Sequence, residues 1–269
     1  MWWILMSIAF ASDINVLVID TGASSKNIKA QKYLMNYDES LDDHGPAIIN
    51  TILSNSGHWV CDNVKIDVCS FKPGTHGTNY LDCLKKAKEK KYDIVNMSLN
   101  GIVVIEEEKR LIVDITKKSV VVVAAGNNGA DINGNEKQYP SCYLYSGLKN
   151  FYVINNLPSK KSNYGDYTIT MNGDNILTKD KDDKDIFMSG TSFSAARYTH
   201  AILHEWCRRG YGFNTVDNEL SNTRRGGPKI SSSSSYSRKQ LRPNKHRFTG
   251  GSRSIPNKTG VFKSKTNRH

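Results

Sequence analysis

Long apolar runs are missing from this chain. The most apolar segment, Met1–Ser12 (MWWILMSIAFAS), falls short of the roughly 20 residues needed to cross a bilayer. It lacks a positively charged start, but Ala9-Phe10-Ala11 resembles a small-residue cleavage site. A short secretory signal over residues 1–11 fits, and so do an apolar first strand and an incorrectly chosen start. A secreted or periplasmic location is favoured over a cytoplasmic one on that footing. Paired-cysteine spacing is missing too: Cys61, Cys69, Cys83, Cys142 and Cys207 contain no C-x-x-C, which argues against zinc. The odd count leaves one thiol without an intramolecular partner, and buried single thiols are the expectation.

Acid is missing from Asn222 to His269, which holds 13 of the 37 Lys and Arg. The remainder carries 24 basic against 26 acidic residues, a balance of −2, so the net charge of +11 belongs to the tail. With Gly-Gly-Pro, a run of five serines and few apolar residues, residues 222–269 cannot bury enough surface to offset their ordering entropy, and disorder is expected. Lys and Arg interleaved with Tyr236, Phe248 and Phe262 are compatible with a polyanion or nucleic-acid contact. A solvated linker or electrostatic anchor is the blander expectation, since no nucleic-acid-binding motif accompanies the tail.

What is present is alternation. Asn15–Ile19, Val64–Cys69, Asp93–Met97 and Val120–Ala125 are short continuous apolar runs, as strands buried on both faces of a parallel sheet require. Between them, Tyr80–Lys90 sets Leu81, Leu84 and Ala87 on one helical face. Glu106–Lys118 begins with acids and ends with lysines, as the helix dipole favours. Further strands are expected near Phe151–Asn155 and Thr168–Met171, with helices from Ser192 and over Asn214–Leu220. The pattern predicts an α/β domain over residues 12–221: a doubly wound, mostly parallel central sheet flanked by helices.

Three polar residues stand where such a sheet places chemistry, beyond the carboxyl ends of its strands. Asp20 ends the first run in Asp20-Thr21-Gly22, His44 opens a helical pattern, and Ser192 follows Gly190-Thr191. A serine hydroxyl needs an imidazole to take its proton, and the imidazole needs a carboxylate to fix its tautomer. Singly each is weak: the first suits an aspartic protease or a plain turn, and the last suits a helix cap.

In order along the chain, VLVIDTG, HGPAIINTI, DIVNMSLNG, VVVAAGNNG and GTSFSAA resemble the sequence motifs of the subtilisin-like serine proteases. The resemblance implies a serine endopeptidase with Asp20, His44 and Ser192 as triad. It implies an oxyanion hole from the Asn127 amide and the Ser192 backbone N–H. Ser98, Leu99, Asn100 and Gly101 would line the cleft and pair with an extended protein or peptide substrate. No cofactor is required for that chemistry, no metal residue is assigned, structural calcium is left open, and a monomer is expected. A catalytically silent binding module of the same fold is the alternative.

Thr75-His76-Gly77-Thr78 matches the family's histidine motif more literally than His44-Gly45-Pro46, but it follows the second strand, so His44 is the expected base. His58, His200 and His204 are expected on the surface or a helix face. Several positions depart from the family: Ala196 replaces a proline, Ala47 a second histidine, and Met171-Asn172-Gly173 an alanine-proline-glycine turn. Asn155 and Asn156 are expected where small residues often line the primary specificity pocket. The few residues before Asp20 leave no room for a folding-assisting propeptide, so unaided folding or a compact family member is expected.

Overall fold

The computed structural model describes residues 12–55, 57–71, 78–135, 137–157 and 159–209. The chain divides into units 1–234 and 235–269, and every described residue lies in the first. The signal-like residues 1–11, His76, the Asn214–Leu220 helix and the basic tail lie outside the described residues.

In chain order the elements are β1 (Ile14–Asp20), α1 (Ile28–Gln31), α2 (His44–Leu53), β2 (Ser54–Asn55), β3 (His58–Trp59), β4 (Val64–Ser70) and α3 (Thr78–Glu89). Then come β5 (Ile94–Met97), α4 (Glu106–Ile115), β6 (Val120–Ala124), β7 (Phe151–Asn155), β8 (Ile169–Thr170), β9 (Ile176–Lys179), β10 (Asp185–Met188) and α5 (Thr191–Arg209). Among the described residues six strands form one sheet in the order β4-β1-β5-β6-β7-β8, every pairing parallel. All four apolar runs are strands of it, and β5 and β6 are buried along their whole length. That burial is why they read as unbroken apolar runs rather than as an alternation.

The two faces follow from the two-residue period of a strand. Leu17, Ile19, Val95, Met97, Val121 and Val123 pack with Leu84 of α3 and Ile112 of α4 in one core. Asn96, on the opposite parity, donates through Nδ2 to Thr199 of α5 (2.9 Å), so α5 covers the other face, packed beside α2. The outer edge of β4 is covered by residues 33–36: Met35 N–H donates to Ile66 O and Ile66 N–H to Tyr33 O, both at 2.8 Å. Such covering blunts an edge that would otherwise pair with another chain.

Helix α2 is buried from Gly45 to Leu53, which leaves its polar Asn50 and Thr51 to be satisfied internally. Both meet Thr178 of β9, at 3.3 and 3.2 Å, so the antiparallel β9–β10 hairpin serves as the polar lid of α2. The sequence pattern did not predict this hairpin.

The expectation of single thiols is corrected. Cys61 is disulfide-bonded to Cys207 and Cys69 to Cys83, while Cys142 is free. The first pair is 146 residues apart and ties the segment before β4 to the last turn of α5. Folding, not spacing, brings those two cysteines together.

Candidate active site

The strand order reverses between β1 and β5: the connection after β1 leads to β4 on one side, and the connection after β5 leads to β6 on the other. Ligand sites of open α/β sheets form at such a switch point, beyond the strand ends. Asp20 is the last residue of β1, Ser98 follows β5, and Asn127 follows β6 by three residues.

Asp20 is 1% exposed, and its Oδ1 accepts from the Thr21 N–H and stands 2.8 Å from His44 Nδ1. His44 is held there from two sides. Asp42 Oδ1 accepts the His44 N–H at 2.9 Å, capping α2 from one residue before Asp43. Thr21 Oγ1 accepts the Gly45 N–H at 3.0 Å and donates to Asp42 Oδ1 at 2.6 Å. A Cβ on Gly45 would fall 2.2 Å from Gly22 O, so only glycine lets α2 start this close to the turn after β1. Thr21 thereby joins the aspartate's turn to the histidine's helix, a role the sequence reading did not assign. The second carboxylate oxygen of Asp20 is buried without a hydrogen-bond partner.

Burial alone would lower the His44 pKa. The hydrogen bond and charge of Asp20, with Asp42 adding, outweigh it and leave His44 above the ordinary imidazole value of 6.5. Its ring packs edge-on against Phe193, centroids 6.0 Å apart, which sets the imidazole against the first turn of α5.

Ser192 is the second residue of α5 and is 9% exposed. Its hydroxyl donates to Ser98 O at 3.1 Å, and rotation about χ1 is what would redirect it. The Ser98 hydroxyl stands 3.0 Å from Asn96 Oδ1 and 3.2 Å from Ser192 O, bolting the end of β5 to the head of α5. Gly190, at φ +141°, makes the turn into the helix, a conformation that side chains rarely adopt. Its N–H donates to Gly173 O at 3.0 Å.

Asn127 Oδ1 accepts the Thr191 N–H at 2.9 Å. That bond fixes which end of the amide is which and leaves Nδ2 as a donor. The Ser192 N–H lies in the first turn of α5, where backbone donors have no partner within the helix. Asn127 and the Ser192 N–H thus meet at the head of α5, joined through Thr191.

Several of the residues singled out from the sequence are engaged within the fold. Both backbone groups of Gly101 pair with Tyr139, N–H to O at 2.8 Å and O to N–H at 2.7 Å. Leu99 and Asn100 are half-buried beside it, and Asn100 Nδ2 donates to Ala124 O at 2.7 Å. Asn155 and Asn156 are buried at the end of β7. Asn155 donates to Thr168 Oγ1 and Asn156 to Asp174 Oδ1, both at 2.7 Å, while Asn156 Oδ1 accepts the Gly173 N–H at 2.8 Å. Of the two places expected for His200, the structure gives a helix face, on α5, with the side chain buried: its Nδ1 stands 2.9 Å from Ile52 O, and burial pulls its pKa down to about 4. Among the described residues no group of three or more His, Cys, Asp or Glu is arranged to hold a metal ion.

A family model described as the subtilase family, Peptidase S8, matches residues 11–208. Solved structures share the fold. A cold-adapted subtilisin-like serine proteinase matches with TM-score 0.62 at 19% identity, covering 74% of this chain and 77% of that one. The nisin leader peptidase of Lactococcus lactis matches with TM-score 0.64 at 15% identity, covering 80% and 84%. The prenylagaramide maturation protease matches with TM-score 0.63 at 17% identity, covering 81% and 86%. No curated protein matches the chain.

Proposed function

The chain belongs to the subtilase family, and from that premise we propose that it is a serine endopeptidase acting through an acyl-enzyme. Ser192 is its nucleophile, His44 its base and then its acid, and Asp20 the carboxylate that orients His44. The observation that carries this reading is the junction of α2 and α5. His44 Nδ1 is anchored on Asp20 at 2.8 Å while its ring lies against the residue after Ser192.

The chemistry runs on these groups. With Nδ1–H donated to Asp20, His44 Nε2 is the free base. The Ser192 hydroxyl leaves Ser98 O, gives its proton to His44, and its oxygen bonds the peptide carbonyl carbon. The carbonyl oxygen takes the electron pair and is held by Asn127 Nδ2 and the Ser192 N–H. Collapse expels the amine, which receives the proton from His44, and water repeats the sequence on the ester. Ser98 O, once released, is an acceptor for the substrate's backbone N–H, and Leu99 and Asn100 continue that wall. The substrate is accordingly a protein or peptide in extended form.

Two disulfides suit an oxidising compartment, which supports a secreted or periplasmic location. The test of the function is turnover of a quenched-fluorescent peptide library by the full chain. Ser192→Ala is expected to abolish turnover while keeping the thermal transition. Undiminished turnover by that variant would remove Ser192 from the reaction.

A further inference from the structure

The strand beside Asp20 carries a cysteine. β1 and β4 pair in parallel register, Ile19 opposite Cys69 and Asp20 opposite Ser70. One residue on, the Phe71 N–H donates to Asp20 O at 3.0 Å. The end of β4 therefore holds the backbone of Asp20. It is held in turn by the Cys69–Cys83 bridge, which ties it to α3. Cys83 and Leu84 of α3 are fully buried in one core with Leu17 and Ile19 of β1.

The two cysteines of the bridge differ in access. Cys83 is 0% exposed, whereas Cys69 is half-buried. A cavity of about 420 Å³ opens beside the end of β4, lined by Cys69 and Ser70 together with Asn36, Asp38 and Lys86. Its two charged side chains, Asp38 and Lys86, are of opposite sign, so a small thiolate is not repelled from it. Cys69 is the member of the bridge that this cavity reaches.

Resting on the peptidase reading above, we propose that this cavity is a thiol-exchange site, where a small thiol opens the Cys69–Cys83 bridge at Cys69 and slackens the hold on Asp20. The thiolate attacks Cys69 Sγ and forms a new S–S bond to it. The Cys69–Cys83 bond breaks, and Cys83 leaves as a thiolate that takes up a proton. A second small thiolate attacks the outer sulfur of the adduct, frees Cys69 as a thiol and departs as the small disulfide. The bridge gains two electrons, which the two small thiols supply. With the bridge open, the end of β4 is no longer fixed to α3, and the Phe71 bond to Asp20 O loses its support. The peptidase is then active with the bridge closed and slowed by thiols.

The experiment holds the full chain in graded mixtures of 2-mercaptoethanol and its disulfide, with folding followed by thermal melts. Adducts and trapped thiols are mapped by mass spectrometry, and kcat/KM is measured on a blocked peptide nitroanilide. The first adduct is expected on Cys69. As that bridge opens, kcat/KM is expected to fall at least about tenfold, since an ångström of misplacement at a reacting centre costs on the order of 10²-fold. Re-oxidation should restore it. The rise of kcat/KM with pH should also move to lower pH, because Asp20 sustains the raised pKa of His44. Partial unfolding would instead reduce the number of active sites and leave that rise in place. Cys61→Ser with Cys207→Ser should keep the response, and Cys69→Ser with Cys83→Ser should be slow in every mixture. The graded reduction needs no substitution, so it stands even where a double variant does not fold. A folded chain with this bridge open and both kcat/KM and its pH dependence unchanged overturns the inference. So do a first adduct on Cys83, a bridge that stays closed, or unfolding as it opens. A fully oxidised chain with neither turnover nor fluorophosphonate label overturns the peptidase reading and the control of Asp20 with it, while the adduct map still decides whether the cavity is an exchange site.

Discussion

Replacing Asp20 by asparagine keeps the shape of the side chain and removes its charge. In the structure Asp20 Oδ1 serves the Thr21 N–H and His44 Nδ1 at 2.8 Å each, in a site 1% exposed. An ionised acceptor there leaves one tautomer for His44, with the proton on Nδ1 and Nε2 free to act as base. Asparagine can turn its NH2 toward the ring, which puts the proton on Nε2 and removes the base; in either orientation it has no charge to stabilise an imidazolium. The loss in kcat is expected to be about 10⁴-fold, the scale known for this change in a serine protease triad. That is about 5 kcal/mol of transition-state stabilisation. The pH profile should move as well. Asp20 is the largest of the influences that raise His44 above 6.5 against its own burial. The unaltered protein should gain kcat/KM with rising pH along a limb centred above 6.5, as His44 loses its proton. In Asp20→Asn burial is opposed by Asp42 alone, and the limb should shift to lower pH. The assay is steady-state hydrolysis of a blocked peptide nitroanilide from pH 5 to 10, with folding checked by thermal melts. Activity within tenfold of the unaltered protein, on an unmoved limb, would refute Asp20 as the partner of the base.

Asn127→Ala should lower kcat by roughly 10²–10³-fold with KM nearly unchanged, the range seen for this type of donor in the same family, because the amide acts on charge that develops in the transition state. A large rise in KM at constant kcat would make Asn127 a ground-state contact. Replacing Cys61 and Cys207 together by serine should cost about 2–4 kcal/mol in denaturant unfolding, since the bridge closes a long loop in the unfolded chain; an unchanged midpoint would count against the bridge. His200 binds a proton less readily when folded, at about 4 against 6.5, so the unfolded chain takes up protons first. Stability should therefore fall as pH drops from about 6.5 to about 4. His200→Gln should flatten that slope, and an identical slope in the variant would place the acid sensitivity elsewhere.

The central strands were legible because burial on both faces leaves Val120–Ala124 and Ile94–Met97 with no polar position to blur the pattern. Helix α2 was legible from its start, since His44-Gly45-Pro46 is followed by a mostly apolar helical pattern, through Leu53, that the structure buries. The hairpin of β9 and β10 was not. Leu177 and Phe187 are exposed while Thr178 is buried, so polarity there follows contact with α2 rather than a water-facing alternation. The partners of Asn155 and Asn156 were not legible, because Thr168, Gly173 and Asp174 are distant from them in sequence. The disulfide pairs were hidden for the same reason. Each is fixed by how crossovers bring remote segments together, about which local composition is silent.

The central claim is that His44 activates Ser192, and covalent labelling tests it most directly. The full chain is treated with a fluorophosphonate, digested, and mapped by mass spectrometry, beside His44→Ala at equal folded fraction. The account predicts one modified residue, Ser192, in the unaltered protein and almost none in the variant. Label on another residue, or label on Ser192 that is indifferent to the loss of His44, would contradict it.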